Sequence, residues 1–140
     1  MASRSKRAQL AHNTVRILER GEYTDNEGET HHIARDVEDA KTNTMLYTPT
    51  QLDELLHQFP PMTGGQVELE VTGEGAVGAA RRLATLYSNV TILNFASAKN
   101  PCGGMLGGSR AQEESIGVCS SLYRCLTLGR LEAGYYSLHK

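Results

Sequence analysis

The stretch VTILNFASAKNPCGGMLGGSRAQEESIGVCSSLYRCL, residues 90–126, decides the fold of this chain. Residues 90–95 are mostly apolar and partly β-branched, which predicts a short buried strand. Residues 99–108 contain four glycines and one proline, so this segment is predicted to be a loop. Ser109 and Gln112 fit a capping box at a helix start, and apolar residues follow at helical spacing. The stretch therefore predicts a strand, a glycine-rich loop and a helix.

The loop and the helix start together predict a site for phosphate or another anion. Glycines let backbone amides approach a ligand closely, and the free amides of a helix N-terminus carry a partial positive charge. Glu113 and Glu114 lie in the same helix, beside that site. A catalytic role is one interpretation of this pair. The alternative is that both glutamates only complement the helix dipole, as glutamates near helix starts commonly do.

Length and composition restrict the class of protein. The chain has 140 residues, enough for one domain, and 14 basic against 16 acidic side chains give a net charge of −2. This balance predicts no direct nucleic-acid binding through a basic surface. No apolar run is long enough to span a bilayer, and no signal peptide is evident. Cys102, Cys119 and Cys125 lack zinc-site spacing and are odd in number, which predicts reduced thiols in an intracellular protein.

Two histidines that precede residues 90–126 in the sequence could suggest a metal site. The turn sequence at residues 25–28 predicts a hairpin over residues 22–34, and His31 and His32 lie on its second arm. Adjacent residues of a strand point to opposite faces, so the two rings cannot easily bind one ion. We therefore interpret both histidines as structural or surface residues.

The other elements are predicted from apolar periodicity and from turn residues. Thr48, Pro49 and Gln51 are typical of a capped helix start. Besides the hairpin, the predicted elements are helices at 5–20 (ended by Gly21), 36–42, 49–58 (ended by Pro60 and Pro61) and 76–87, and strands at 66–72 and 90–95. The last helix and the two strands form a predicted βαβ unit with parallel pairing, in which ligands lie beyond the carboxyl ends of the strands.

Residues 94–123 carry a more specific pattern. NFASAKNPCGG at 94–104 is followed, after a spacer of seven residues, by QEE at 112–114. This pattern resembles the signature of microbial-type poly(ADP-ribose) glycohydrolases, a branch of the macrodomain superfamily: three glycines, a short spacer and Gln-Glu-Glu. SSLY at 120–123 is also similar to the family. Cys102 stands where the first glycine is expected, and we expect a cysteine to keep φ below zero, which would change the first turn of the loop.

The resemblance implies the fold class. The chain resembles the N-terminal half of a macrodomain, so we expect a partial α/β/α layer with a helical lead-in and a hairpin. Residues 1–140 would form one unit, with the lead-in at about 1–60 and a βαβ core with the glycine loop and catalytic helix at 61–126. The second phosphate loop and the adenine-stacking aromatic residue of the family would lie beyond this sequence.

The resemblance also implies the roles of individual residues. Glu114 would be the general acid that protonates the leaving oxygen of a ribose–ribose bond, and Glu113 would orient the terminal ribose. The implied substrate-binding residues are Asn94, Ala96, Asn100, Gly103, Gly104, Gly107, Gly108 and Gln112. Asn94 would contact the distal ribose; the alternative, that it only ties the loop backbone, stays open. No metal and no cofactor is implied.

The implied function is hydrolysis of poly(ADP-ribose), or action on an ADP-ribosylated protein, with ADP-ribose as the product. The expected location is the cytoplasm, or the nucleus in a eukaryote, without a membrane or nucleic-acid partner. Two alternatives stay open: a module that binds ADP-ribose without cleaving it, and a structural remnant that does neither. A P-loop nucleotidase is not favoured, because the loop lacks the Gly-Lys-Ser/Thr ending.

Overall fold

The computed structural model describes residues 2–59 and 64–139. Within these ranges the chain forms seven α-helices and one small antiparallel sheet. The elements are α1 Arg4–Arg20, β1 Glu22–Thr24, β2 Thr30–His32, α2 Ala34–Thr42, α3 Pro49–Gln58, α4 Ala76–Leu83, α5 Gln112–Val118, α6 Leu122–Leu126 and α7 Gly129–Gly134, with short 3₁₀ turns at Met105–Gly107 and Tyr136–His139. None of these helices is long and apolar enough to cross a membrane.

The first helix and the hairpin confirm the predictions for the N-terminal part. The Ser3 side chain accepts an amide hydrogen bond at the start of α1, and Gly21 ends the helix in the left-handed conformation. Strands β1 and β2 pair antiparallel around the predicted turn. Local capping and turn chemistry therefore suffices to place these elements.

The capping box of α3 is also confirmed. The amide of Gln51 donates to Thr48 Oγ1 (3.3 Å), and the amide of Thr48 donates to Gln51 Oε1 (2.9 Å). The helix spans the predicted residues. Its predicted end at Pro60 and Pro61 lies outside the described residues.

The predicted strands at 66–72 and 90–95 do not form, and in this respect the βαβ prediction was wrong. Val67, Leu69 and Val71 are 88%, 86% and 90% exposed, although they alternate as one face of a strand would. A strand is stabilised by hydrogen bonds to a neighbouring strand, and neither stretch pairs with another strand in the described chain. Apolar alternation alone does not supply that partner. The α/β class itself is confirmed, because helices accompany the small sheet.

Helix α4 is shorter than predicted, ending at Leu83, and it is tied to the preceding segment by charge. Arg82 lies 2.7 Å from Glu74 and 3.3 Å from Glu70. The pair with Glu70 connects the 66–72 segment to α4, although ion pairs of this kind contribute little to stability.

The buried core lies between α1, the glycine-rich loop (residues 99–108) and the later helices. Ala11 and Cys102 are fully buried, and Met105 is 2% exposed. Partly buried apolar side chains surround them: Val15, Leu106, Val118, Leu122, Tyr123 and Leu126. Cys102 and Met105 belong to the loop itself, so the loop is part of the core. Its position relative to α1 and α5 is therefore fixed by packing.

Candidate active site

Glu113 and Glu114, in the first turn of α5, are both buried. Their exposed fractions are 3% and 9%. Carboxylates are seldom buried unless they accept hydrogen bonds, because the loss of hydration is otherwise uncompensated. The two side chains have separate hydrogen-bond partners in the segment that leads into the helix.

Glu113 is held by Asn94 and Ser97, at the end of residues 90–95 and just after them. The amide of Ser97 donates to Glu113 Oε2 (2.8 Å), and Asn94 Nδ2 donates to Glu113 Oε1 at the longer distance of 3.4 Å. Asn94 Oδ1 is buried and has no hydrogen-bond partner in residues 2–59 and 64–139. The Asn94–Glu113 pair therefore leaves one buried acceptor unused beside a carboxylate.

Glu114 is held by the glycine-rich loop. The amide of Gly104 donates to Glu114 Oε1 (3.0 Å). Gly103 has φ +56°, and a Cβ there would lie 2.7 Å from Glu114 Oε1 and 3.3 Å from Glu113 Oε2. Only glycine leaves room for both carboxylates at this point of the loop. The predicted association of Glu114 with the Gly103–Gly104 backbone is observed.

Gln112 takes a role different from the one its sequence position suggested. Its Nε2 donates to the carbonyl of Leu93 (2.6 Å), and its Oε1 accepts from the amide of Phe95 (2.8 Å). One carboxamide thus pairs with a carbonyl and an amide on the same edge of this backbone, as a neighbouring strand would. Asn94 lies between the two bonded residues, so Gln112 fixes its position.

The predicted capping box at Ser109 was wrong, because the Ser109 amide and the Gln112 side chain are both engaged elsewhere. Helix α5 begins at Gln112 after Ala111, without a side-chain cap. The amide of Ser109 donates to the carbonyl of Gly104 (3.0 Å), which closes the loop before the helix starts. Gln112 contacts residues 93–95 instead of the amide at the helix start.

The backbone of Cys102 contradicts the prediction that its φ stays below zero. It has φ +55°, so the first turn of the loop adopts the left-handed conformation without a glycine. Such a conformation is uncommon for a residue with a Cβ and costs about 1–2 kcal/mol. Burial, and then the charges of Glu113 and Glu114, raise the pKa of the Cys102 thiol to about 12. The thiol is therefore a packing group and not a nucleophile.

Ser97 contacts Glu113, and Tyr136 is influenced by the charge of Glu113; neither residue was predicted from the sequence. The Ser97 side chain accepts hydrogen bonds from the amides of Lys99 (3.3 Å) and Asn100 (3.2 Å) and so closes a turn. The small and polar residues before Pro101 could have indicated this turn. Tyr136 is 3% exposed. Burial and the charge of Glu113 raise the pKa of Tyr136 to about 12. Its position, more than 20 residues after Glu114, gave no local signal.

Four other predicted binding residues form hydrogen bonds within the turn or with α1. Ala96 and Asn100 are exposed, and their backbone hydrogen bonds shape the turn. Gly107 and Gly108 face α1, where their carbonyls accept hydrogen bonds from arginine side chains. The substrate roles of these four residues remain predictions. The structure brings together Asn94, Gly103, Gly104, Gln112, Glu113 and Glu114.

One group of side chains outside this site has atoms spaced as metal ligands. Asp25, Glu29 and His31 place one such atom each within 4.8 Å of the others. Asp25 already accepts the amides of Glu27 and Glu29, and His31 Nε2 lies 2.9 Å from Asp25 Oδ2. These bonds account for the group as part of the hairpin turn.

The candidate site is that of an α/β protein in which backbone amides around a glycine-rich loop hold two adjacent buried carboxylates. Residues 11–140 match the family described as microbial-type PARG, catalytic domain, where PARG denotes poly(ADP-ribose) glycohydrolase. The match covers nearly the whole sequence, and the chain belongs to this family. No curated protein matches the chain.

Solved structures of poly(ADP-ribose) glycohydrolase from Thermomonospora curvata are similar to this chain. One has 41% sequence identity and a TM-score of 0.88, covering 96% of this chain and 49% of that one. A second, bound to the inhibitor ADP-HPD, has 40% identity and a TM-score of 0.84, covering 96% of this chain and 47% of that one. The structure of a mutant of the same protein also has 40% identity and a TM-score of 0.84, covering 96% of this chain and 47% of that one. The chain thus spans about half the length of these solved structures.

Proposed function

We propose that this chain carries the glycine loop and the catalytic carboxylates of a poly(ADP-ribose) glycohydrolase. The reaction would hydrolyse ribose–ribose O-glycosidic bonds of poly(ADP-ribose) and release ADP-ribose. The observation that carries the proposal is the pair of buried carboxylates, each held by an amide of the segment that connects residues 90–95 to α5. Family membership supports the same conclusion.

In this mechanism Glu114 is the general acid. A proton passes from its carboxyl to the oxygen that leaves as a hydroxyl, the bond from that oxygen to the anomeric carbon breaks, and an oxocarbenium-like centre forms. Water then attacks the anomeric carbon and returns a proton to Glu114. A cavity of about 250 Å³ borders Glu114, lined also by Arg7, Met105 and Ser109, and it supports access of water or substrate to this side chain.

Glu113 and Asn94 would orient the ribose rather than transfer the proton. Glu113 is already fixed by Ser97, so its carboxylate can accept ribose hydroxyls without losing its position. The unpaired Asn94 Oδ1 would accept a further hydroxyl. Two acceptors of this kind suit a diol, which is the feature that distinguishes a ribose from an isolated alcohol. This chemistry needs no metal and no cofactor.

The decisive experiment incubates the chain with labelled poly(ADP-ribose) and measures released ADP-ribose. The Glu114→Gln variant retains Oε1 as an acceptor for Gly104, so the fold should be kept while the acid is lost. We expect a decrease of at least about a hundredfold, within the usual contribution of a general acid. Glu132→Gln, an exposed change on α7, is the matched control. Unchanged turnover in Glu114→Gln would contradict the assignment of the acid.

A second candidate function is binding of ADP-ribose without hydrolysis. It is favoured by the observation that the chain spans 47–49% of the length of the T. curvata structures. In that case calorimetry would detect ADP-ribose binding, the polymer would stay intact, and Asn94→Ala would weaken binding. Release of ADP-ribose by the wild-type chain alone would exclude this candidate.

We further infer that poly(ADP-ribose) or an ADP-ribosylated protein is the partner, and that the protein works in a reducing compartment such as the cytoplasm. Cys102 and Cys125 are buried free thiols, a state that reducing compartments maintain. Fractionation of the native cells, with detection of the chain by antibody, tests the location.

A further inference from the structure

The first turn of α1 crosses the end of the glycine-rich loop. Arg4 Nε donates to the carbonyl of Gly107 (2.9 Å), and Arg7 Nε donates to the carbonyl of Gly108 (2.9 Å). Both donors are charged, and hydrogen bonds from charged donors are stronger than neutral ones. Two consecutive loop carbonyls are thus bound by side chains that are one helical turn apart, and therefore on the same face of α1.

The backbones of α1 and the loop also come unusually close here. Gly108 has φ +73°, and a Cβ at this position would overlap the carbonyl oxygen of Arg4 and lie 3.0 Å from the amide of Ala8. This contact is possible only for a glycine. Gly108 therefore serves the approach of the loop to α1, which explains its distance from the carboxylates.

The end of the loop is connected to Glu114 by a short chain of hydrogen bonds. The amides of Gly107 and Ser109 both donate to the carbonyl of Gly104, each at 3.0 Å. The amide of Gly104 in turn donates to Glu114 Oε1. A displacement of Gly107 or Gly108 would therefore be transmitted to the group that holds Glu114.

We propose that Arg4 and Arg7 are positioning residues that clamp the glycine-rich loop onto α1 and thereby hold the Gly104 amide against Glu114. Both residues precede the part of the chain that matches the family, which begins at residue 11. The clamp lies in the first turn of α1. The effect of the clamp on ADP-ribose binding rests on the proposed function. Its effect on the position of the loop is independent of that function.

The test compares the double variant Arg4→Gln/Arg7→Gln with Lys6→Gln/Arg16→Gln. Both remove two positive charges from α1, but only Arg4 and Arg7 of these four residues donate to the loop in the part of the chain that the structure describes. Amide hydrogen exchange is measured on the full chain. We expect roughly tenfold faster exchange at Gly104, Gly107 and Gly108 in the first variant only, which corresponds to about 1.4 kcal/mol.

A spectroscopic readout separates positioning from general destabilisation. In ¹⁵N–¹H spectra the Gly104 amide resonance should move in the arginine variant, since its carboxylate partner shifts, and should stay in place in the control. Exchange in α3 and in the hairpin should not change. Equal exchange of the loop amides in the two variants, or uniform acceleration along the whole chain in the arginine variant, would overturn the proposal.

Titration with ADP-ribose gives the functional consequence. If the wild-type chain binds ADP-ribose, the arginine variant should bind at least about fivefold more weakly and the control should bind normally. Equal affinity of the two variants would show that the clamp does not serve the site. Absence of binding by the wild-type chain would contradict the proposed function, and the exchange experiment would still decide whether the clamp exists.

Discussion

Replacement of Gln112 by alanine should release residues 93–95 from α5. The change removes the hydrogen bonds to Leu93 and Phe95, of 2.6 and 2.8 Å. Each such bond contributes about 0.5–1.5 kcal/mol net, and partial exposure places the pair at roughly 1–2 kcal/mol. This corresponds to roughly 5- to 30-fold faster exchange of the Phe95 amide. Asn94, held between the two bonded residues, should lose its place beside Glu113.

The assay is hydrogen exchange resolved at single residues, with urea unfolding to measure global stability. Gln9→Ala, an exposed change on α1, is the control for loss of a glutamine side chain. Gln112→Glu separates the two bonds, because a carboxylate can still accept from Phe95 but faces the carbonyl of Leu93 without a proton to donate. Exchange at Phe95 that is the same in Gln112→Ala and Gln9→Ala would refute the reasoning.

Three further outcomes follow from the described contacts. Cys102→Gly should be more stable than Cys102→Ala by about 1 kcal/mol in urea unfolding, because alanine keeps the strain of the left-handed conformation and glycine does not; the reverse order would contradict the strain. Alkylation at pH 8 of the folded chain should modify the exposed Cys119 well before Cys102, whose pKa is raised to about 12 by burial; mass spectrometry of timed samples checks this. The hydrogen bond between His31 and Asp25 lowers the pKa of Asp25 from 3.8 and raises the pKa of His31 from 6.5. Its stabilisation of the hairpin should therefore be fully present between these two values, and should be lost as the pH falls through the pKa of Asp25 or rises through that of His31. In ¹H–¹³C spectra recorded against pH, the hairpin signals should change as the pH rises through the pKa of His31, and His31→Gln should abolish this change. If the change persists in His31→Gln, the His31–Asp25 pair is not its cause.

Elements whose signals are local could be predicted from the sequence. The capping box at Thr48 and Gln51 satisfies amides within four residues, and the turn at residues 25–28 needs only its own backbone. The Ser109–Gln112 pair has the same spacing, but distant groups compete for both residues. The structure decides that competition in favour of Gly104 and residues 93–95. A capping pattern beside a glycine-rich loop is therefore weaker evidence than the same pattern elsewhere.

The site shows the same division between local and distant information. The resemblance of residues 94–123 to a known signature singled out the two glutamates, and the structure places both beside loop amides. Tyr136 and Arg7 could not be found in this way, because they approach the site from the two ends of the chain. The φ of Cys102 was predicted wrongly, since packing in a fully buried position outweighs the intrinsic preference of a residue with a Cβ.

The unpaired segment at residues 66–72 affects how this chain behaves at high concentration. Val67, Leu69 and Val71 present a row of branched side chains to solvent, next to backbone groups that no strand of the described chain satisfies. Such an unpaired apolar segment can pair with the same segment of another molecule and so begin aggregation. Purification of the chain should therefore benefit from dilute conditions, and Leu69→Lys should delay the onset of light scattering.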